Sequence, residues 1–268
     1  MQSARFILHS SQKTQVERVR AFVHGLETHG WDADVVQDYC EADLVCMWGV
    51  RRPDLIERAK LDGATVCILE LGYVGNRREY TSVSFGGGLN GRAQFRGPLS
   101  NSCRWKRNFS SYMKEYDTPK NGYALIMGQM EGDVSVQHVD IYQWYTYTAQ
   151  DLFNSGWADI RFRPHPDDEQ KLPRLISPAV ELIGGDLEEN LKGAGVVVTF
   201  NSNSGVNASL YGRPVLAFDQ GSMVYDIAGH SVDDVKEVDR KRWAHALAWK
   251  QWTVQEMSSG QCWEAVGI

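Results

Sequence analysis

Short apolar runs alternate along the chain with segments whose apolar residues recur at helical spacing. Arg5-Phe6-Ile7-Leu8 predicts a first strand, ending at His9-Ser10. Val16, Val19, Phe22, Val23 and Leu26 then fall on one side of a helix closed by Gly30. Ala33 to Val36 predicts a second strand, and Leu44 to Trp48 a third, stopped by Gly49. Pro53 sits near the start of a helix containing Leu55, Ile56 and Ala59, a position where its missing N–H costs nothing. Ala64 to Leu69 is almost wholly apolar and predicts a fourth strand. Such strands alternating with helices predict an α/β class protein, with a parallel sheet covered on both faces.

The pattern breaks between 71 and 120. Glycines stand at 72, 75, 86, 87, 88, 91 and 97, interleaved with Tyr73, Tyr80, Phe85, Phe95, Trp105 and Phe109. A structureless stretch of this length inside a compact domain is usually functional, so it is read as a loop insert at the edge of the first domain. Alternation resumes with strands at Tyr123 to Met127, Asp159 to Arg163, Val196 to Phe200 and Pro214 to Phe218. Helices are predicted at Asp140 to Phe153, at Leu187 to Leu191 and from Val206 to Tyr211. A boundary near 118–122 divides the chain into domains 1–120 and 121–268, the second including a tryptophan-rich helical tail from Arg240 to Val266. The expected architecture is two Rossmann-like domains facing a cleft.

Composition narrows the class. With 43% hydrophobic and 23% charged residues over 268 positions, the chain is neither a disordered tail, a coiled coil nor a collagen-like rod. No run approaches the ~20 apolar residues of a membrane span, and no signal-peptide pattern opens the chain. Five cysteines at wide spacing, without a CxxC, fit a reducing compartment, so a cytoplasmic location is expected (the host cytoplasm if the protein is phage-encoded). The net charge of −6 is uneven: residues 71–120 hold nine Lys/Arg against three Asp/Glu. A basic segment on an acidic protein suits a polyanion, and a solvated loop is the plain alternative.

Ligands of open α/β sheets bind beyond the carboxyl ends of the strands, and the notable polar clusters lie there. Arg163-Pro164-His165-Pro166 holds a histidine on a stiff backbone, suited to pointing at a phosphate. Asn201-Ser202-Asn203-Ser204-Gly205 leads from a buried strand into a helix, whose N-terminus attracts anions. Simple N-capping by Ser204 or Asn203 is the structural alternative. Gly212-Arg213-Pro214-Val215 and the loop Gly221 to Tyr225 complete that edge; alone they read as structural, and after the serine turn they would supply the floor for a nucleotide's sugar or base. Glu70 ends an apolar strand, where a carboxylate is costly unless paired, as with Arg77 or Arg78, or put to use.

The His-Pro motif, the serine-rich turn about 35 residues later and Gly-Arg-Pro-Val resemble a GT-B glycosyltransferase. The pattern is similar to capsule-type Kdo transferases and bacterial sialyltransferase-like enzymes. With Glu-x-Gly-Tyr-x-Gly-x-Arg at 70–77, Gly88-Leu89-Asn90-Gly91-Arg92 and Gln251-Trp252-Thr253, the chain also resembles small phage-encoded enzymes that glycosylate hydroxymethylated pyrimidines in DNA. The resemblance implies that His165, Ser202, Asn203 and Ser204 bind the donor's phosphates. Asn-Ser-Asn-Ser departs from the family's plain serine pair.

These readings lead to a sugar transferase acting on a nucleotide sugar, a UDP-sugar first among them, by direct displacement. Donor contacts are expected from Gln129, Arg163, His165, Ser202, Asn203, Ser204, Gly205 and Tyr225, without a metal or other cofactor. The general base is expected to be Glu70, then Asp133, then His9. Arg77, Arg92, Arg96, Arg104, Lys106 and Arg107 would contact DNA phosphates, beside an extruded base. The rivals are a transferase for surface polysaccharide or lipid-linked glycan, and a non-catalytic nucleotide- or DNA-binding module. Oligomeric state is not readable from the sequence.

Overall fold

A computed structural model describes residues 1–8, 13–168 and 179–268. It contains two sheets. The first comprises β1 (Ser3–Ile7), β2 (Asp32–Val36), β3 (Leu44–Trp48), β4 (Thr65–Leu71), β5 (Tyr80–Phe85) and β11 (Gln251–Thr253), in the order β11-β5-β4-β3-β1-β2. β2, β1, β3 and β4 are parallel, as the apolar runs predict, while β5 runs antiparallel to both β4 and β11. The second comprises β6 (Tyr123–Met127), β7 (Ile160–Arg163), β8 (Val180–Leu182), β9 (Ala194–Thr199) and β10 (Val215–Ala217), all parallel, in the order β10-β9-β6-β7-β8.

The helices are α1 (Lys13–Glu27), α2 (Pro53–Leu61), α3 (Cys103–Asn108), α4 (Ile141–Asn154), α5 (Leu187–Gly193), α6 (Ser204–Tyr211), α7 (Lys241–Ala248), α8 (Val254–Ser258) and α9 (Gln261–Val266). One face of the first sheet packs Phe6, Cys67, Leu69 and Trp252 on α1, α8 and α9 through Phe22, Met257 and Trp263. The other packs Val45, Val66 and Ile68 on α2 through Ile56 and Ala59. In the second sheet Ile126, Phe162 and Val198 pack on Tyr145, Ala149 and Leu152 of α4. Burying several such side chains, at ~1.5–3 kcal/mol each, is what overcomes the entropy of ordering these short segments.

Four expectations are corrected. The stretch 71–120 is not a long loop: it contains β5, α3 and 3-10 turns at Arg77–Glu79, Asn90–Arg92 and Ser110–Tyr112. And the two compact units are Met1–Phe109 with Lys241–Ile268, and Ser110–Arg240, so the tail belongs with the first half. It is not wholly helical either, because β11 pairs residue for residue with β5. The junctions lie at 109/110 and 240/241, where a boundary near 118–122 was expected.

Candidate functional site

In the second unit β6, β7, β9 and β10 are parallel neighbours, so the residues that follow them emerge at one edge. Gln129, His165, Asn201 and Asp219 each stand two positions beyond a strand end. Three of them form a buried frame. Gln129 Nε2 donates to Asn201 Oδ1 at 2.7 Å, and the Asn201 main-chain N–H donates back to Gln129 Oε1 at 3.0 Å. Asn201 Nδ2 donates to Asp219 Oδ2 at 2.7 Å and to the Ser135 carbonyl at 2.8 Å. Asp219 Oδ2 also accepts from Gly221 N at 2.9 Å, and His138 Nε2 lies 3.6 Å from its other oxygen. A buried carboxylate needs such partners, and here they fix three strand-end loops to one another. Gln129, expected to touch the donor, is therefore buried and committed to Asn201. The sequence reading did not find this frame, although Asp219 follows an apolar strand just as Glu70 ends one.

His165 stands at the rim of the frame. Its Nδ1 accepts from the Asp167 main-chain N–H at 3.2 Å, which puts the hydrogen of the neutral ring on Nε2. The side chain is 36% exposed, so that Nε2–H is a donor available to a ligand. Gly128 lets the β6 and β7 ends approach: a Cβ there would meet Pro164 Cα at 2.9 Å and His165 N at 3.0 Å. Asp168 is buried and accepts from Tyr142 OH at 3.0 Å. Arg163 is turned aside, with Nε on Asn190 Oδ1 at 2.9 Å and a terminal nitrogen on the Gly185 carbonyl at 2.8 Å. It shapes the loop before α5 instead of offering a bare cation.

The serine turn is more ordered than capping requires. Ser204 begins α6, and Asn203 precedes it without a side-chain cap bond. Ser202 Oγ accepts from Ser204 N at 3.2 Å and from Ser204 Oγ at 2.8 Å. With two donors received, its own hydroxyl hydrogen points elsewhere and can be donated. Gly205 is a packing position, because a Cβ would stand 3.0 Å from Val224 Cγ2 and 3.2 Å from Thr199 Cγ2. Tyr225 stacks flat on His230, with ring centres 3.9 Å apart at 11°, which leaves one ring face for any further stacking. Asp133 is exposed and caps the turn at Val134–Val136, accepting from Ser135 N at 2.9 Å and Ser135 Oγ at 2.7 Å.

In the first unit Glu70 ends the buried run of β4 and is half-buried. Its Oε1 accepts from Leu71 N at 2.9 Å, and Oε2 faces Gly49, where a Cβ would be 3.5 Å away. Arg77 is half-buried and donates from Nε to the Gly72 carbonyl at 2.6 Å. Burial pulls its pKa down, and the charge of Glu70 pulls it back up, so the two side chains sense each other. His9 lies outside the described residues.

The basic residues of 71–120 separate into two kinds. Arg104 is 3% exposed and bonded to Glu256, Ala248 O and Gln251 O, so it is not a phosphate contact in this structure. Arg92, Arg96, Lys106 and Arg107 are exposed, and Arg96 lies over the Phe85 ring at 4.2 Å. Among the described residues no cluster of three His, Cys, Asp or Glu is placed to hold a metal. None of the described helices is long and apolar enough to cross a membrane.

No family model matches the chain, and no curated protein sequence matches it. Solved structures do. The KpsC β-Kdo 2,4 transferase of Thermosulfurimonas dismutans matches with a TM-score of 0.62 at 16% identity, covering 91% of this chain and 89% of that one. The fold is GT-B. The KpsC β-Kdo 2,7 transferase of the same organism gives 0.60 at 13% identity, covering 98% and 99%. The glycosyltransferase-like fold therefore extends over 91–98% of the chain. Identities this low speak for the fold, and the chemistry has to be argued from the side chains.

Proposed function

We propose that the protein is a glycosyltransferase that moves a sugar from a nucleotide sugar, a UDP-sugar foremost, to an acceptor hydroxyl. The observation that carries this is the presence, at the same sheet edge, of the His165 ring after β7 and of the Ser202 hydroxyl between β9 and α6. Both are donors left over after internal bonds are made, and a helix start adds positive potential. Such an edge suits a diphosphate, and it stabilises the charge that grows on the phosphate oxygen as its bond to the anomeric carbon breaks. The acceptor oxygen forms the new bond to that carbon, and its proton passes to a carboxylate, for which Glu70 is assigned. His165→Ala should weaken donor affinity by about ten- to a hundredfold, the worth of a hydrogen bond to a charged group, with the fold intact. Calorimetry with a panel of nucleotide sugars measures it. Unchanged affinity for every donor that binds the wild type would remove His165 from the site.

For the acceptor we propose DNA carrying a hydroxymethylpyrimidine. Exposed Arg92, Arg96, Lys106 and Arg107 support that reading, now without Arg104. Changing Lys106 and Arg107 to Glu should weaken DNA binding and lower the slope of log affinity against log salt by about one unit for each phosphate no longer neutralised. An unaltered slope would free this surface of the role. Wild-type protein that ignores DNA at low salt but glycosylates an oligosaccharide would replace DNA by a glycan acceptor.

A further inference from the structure

We propose that Gln251, in the returning C-terminal strand, is a positioning residue for the Glu70 carboxylate. The proposal rests on the reading of Glu70 as the base. Gln251 is fully buried at the start of β11. Ser82 of β5 is in register with both Glu70 and Gln251, so the three side chains form a polar row on one face of the sheet. At the far end of that row the Gln251 amide replaces a missing strand. Its Oε1 accepts from Tyr73 N at 2.6 Å and Val74 N at 3.0 Å, and its Nε2 donates to the Val74 carbonyl at 3.3 Å.

The backbone thus held begins three positions after Glu70. Gly72 is needed there, because a Cβ would meet Tyr80 Cβ at 2.6 Å and Gln251 Oε1 at 3.0 Å. Tyr73 is buried and its hydroxyl meets Ser82 Oγ at 2.9 Å, so the loop is pinned to the middle of the same row. Arg77 binds the Gly72 carbonyl, and Arg18 of α1 reaches the Arg78 carbonyl and Thr81 Oγ1. Ser82, which the Tyr73 hydroxyl meets, is the register partner of Glu70, so the loop is tied to the strand position beside the carboxylate. The main chain of Gln251 is fixed in turn by Arg104, which donates to its carbonyl at 2.8 Å. Releasing residues 73 and 74 would move Tyr73 and Arg77 relative to Glu70.

The test is a double-mutant cycle. Gln251→Met keeps length and removes both polar atoms. It should lower kcat by about ten- to a hundredfold, the cost of misplacing a reacting group by about an ångström, with little change in KM for the donor. Gln251→Glu keeps an oxygen for the two N–H groups and should recover most of the rate. In a Glu70→Gln background the Met substitution should cost less than about twofold, because the group it positions is already gone. Tyr73→Phe, which removes the hydroxyl bonded to Ser82, should lower kcat in the same selective way and serves if the Met variant does not fold. Losses that multiply across the cycle, or a Met variant as active as wild type, would overturn the proposal while leaving the transferase reading standing. Wild-type protein that transfers no sugar to either DNA or glycan would sink that reading, and this inference with it.

Discussion

Glu70→Gln is expected to lower turnover by about 10²–10⁴-fold with donor affinity unchanged, the contribution of a general base. The substitution preserves shape and leaves an oxygen to accept from Leu71 N, which in the native protein donates to Oε1 at 2.9 Å. What it removes is the capacity to take a proton. Glu70 suits that role by position: it ends a strand whose four preceding residues are buried, and its Oε2 stands beside Gly49, where a Cβ would be in ordinary contact at 3.5 Å. The rate should also lose the part of its acid-side pH dependence that reports this carboxylate, and the pH profile of kcat/KM for the variant measures both effects. A loss below about tenfold, well short of the range for a base, would make Glu70 structural. Asp133 would be a poor heir, being exposed and occupied in capping Ser135, so the search would turn to His9.

The parts of the fold legible in the sequence are those whose burial is two-sided and local. β3, β4, β6 and β9 are continuous apolar runs, as strands between two helical layers must be, and each was placed to within a residue or two. β5 escaped because its sequence, Tyr-Thr-Ser-Val-Ser-Phe, puts hydroxyls where a core strand usually has methyls. The structure buries them by supplying partners from afar: Arg18 for Thr81, Tyr73 for Ser82 and the Ile68 carbonyl for Ser84. These partners stand 63, 9 and 16 positions away, and a local period in the sequence anticipates none of them. β11 escaped for a similar reason, since three residues among tryptophans carry no period of their own and become a strand only by pairing with β5.

The site divides along the same line. Strand-end reasoning singled out His165, the serine turn and Glu70 as candidates, because position relative to a buried run is a local property. It missed the roles of Asn201, Asp219 and Gln251, whose meaning is in what they reach. Charge counting failed at Arg104, because a tally of signs does not say which arginine is buried. Cation and carboxylate 152 positions apart contribute equally to net charge whether they are paired or solvated.

That arginine gives the second large effect. Arg104→Ala should destabilise the protein by about 3–5 kcal/mol, the cost of removing one partner from a buried ion pair. The guanidinium is flanked by Trp252 at 4.3 Å and Trp249 at 5.6 Å, and it donates to Ala248 O at 2.7 Å and to Glu256 Oε2 at 2.7 Å. Its loss leaves the Glu256 carboxylate, 15% exposed, with only Thr253 for a partner, and unties β11 from α3. The pH dependence has a definite sign. Burial pushes the Glu256 pKa up, but hydrogen bonds from Arg104 and Thr253 outweigh it and hold the group below its ordinary 4.5. A depressed carboxylate contributes stability that is whole above about pH 4.5 and is lost as pH falls through its lower folded value. Urea unfolding of wild type and Glu256→Gln at neutral and acid pH should therefore converge on acidification, the variant having no carboxylate left to protonate. A cost below about 1 kcal/mol for Arg104→Ala would put the pair in the class of exposed salt bridges. If that small cost came with a fall of about one unit in the salt slope of DNA binding, Arg104 would be a phosphate contact, and its buried pairing with Glu256 would not be the state that meets DNA.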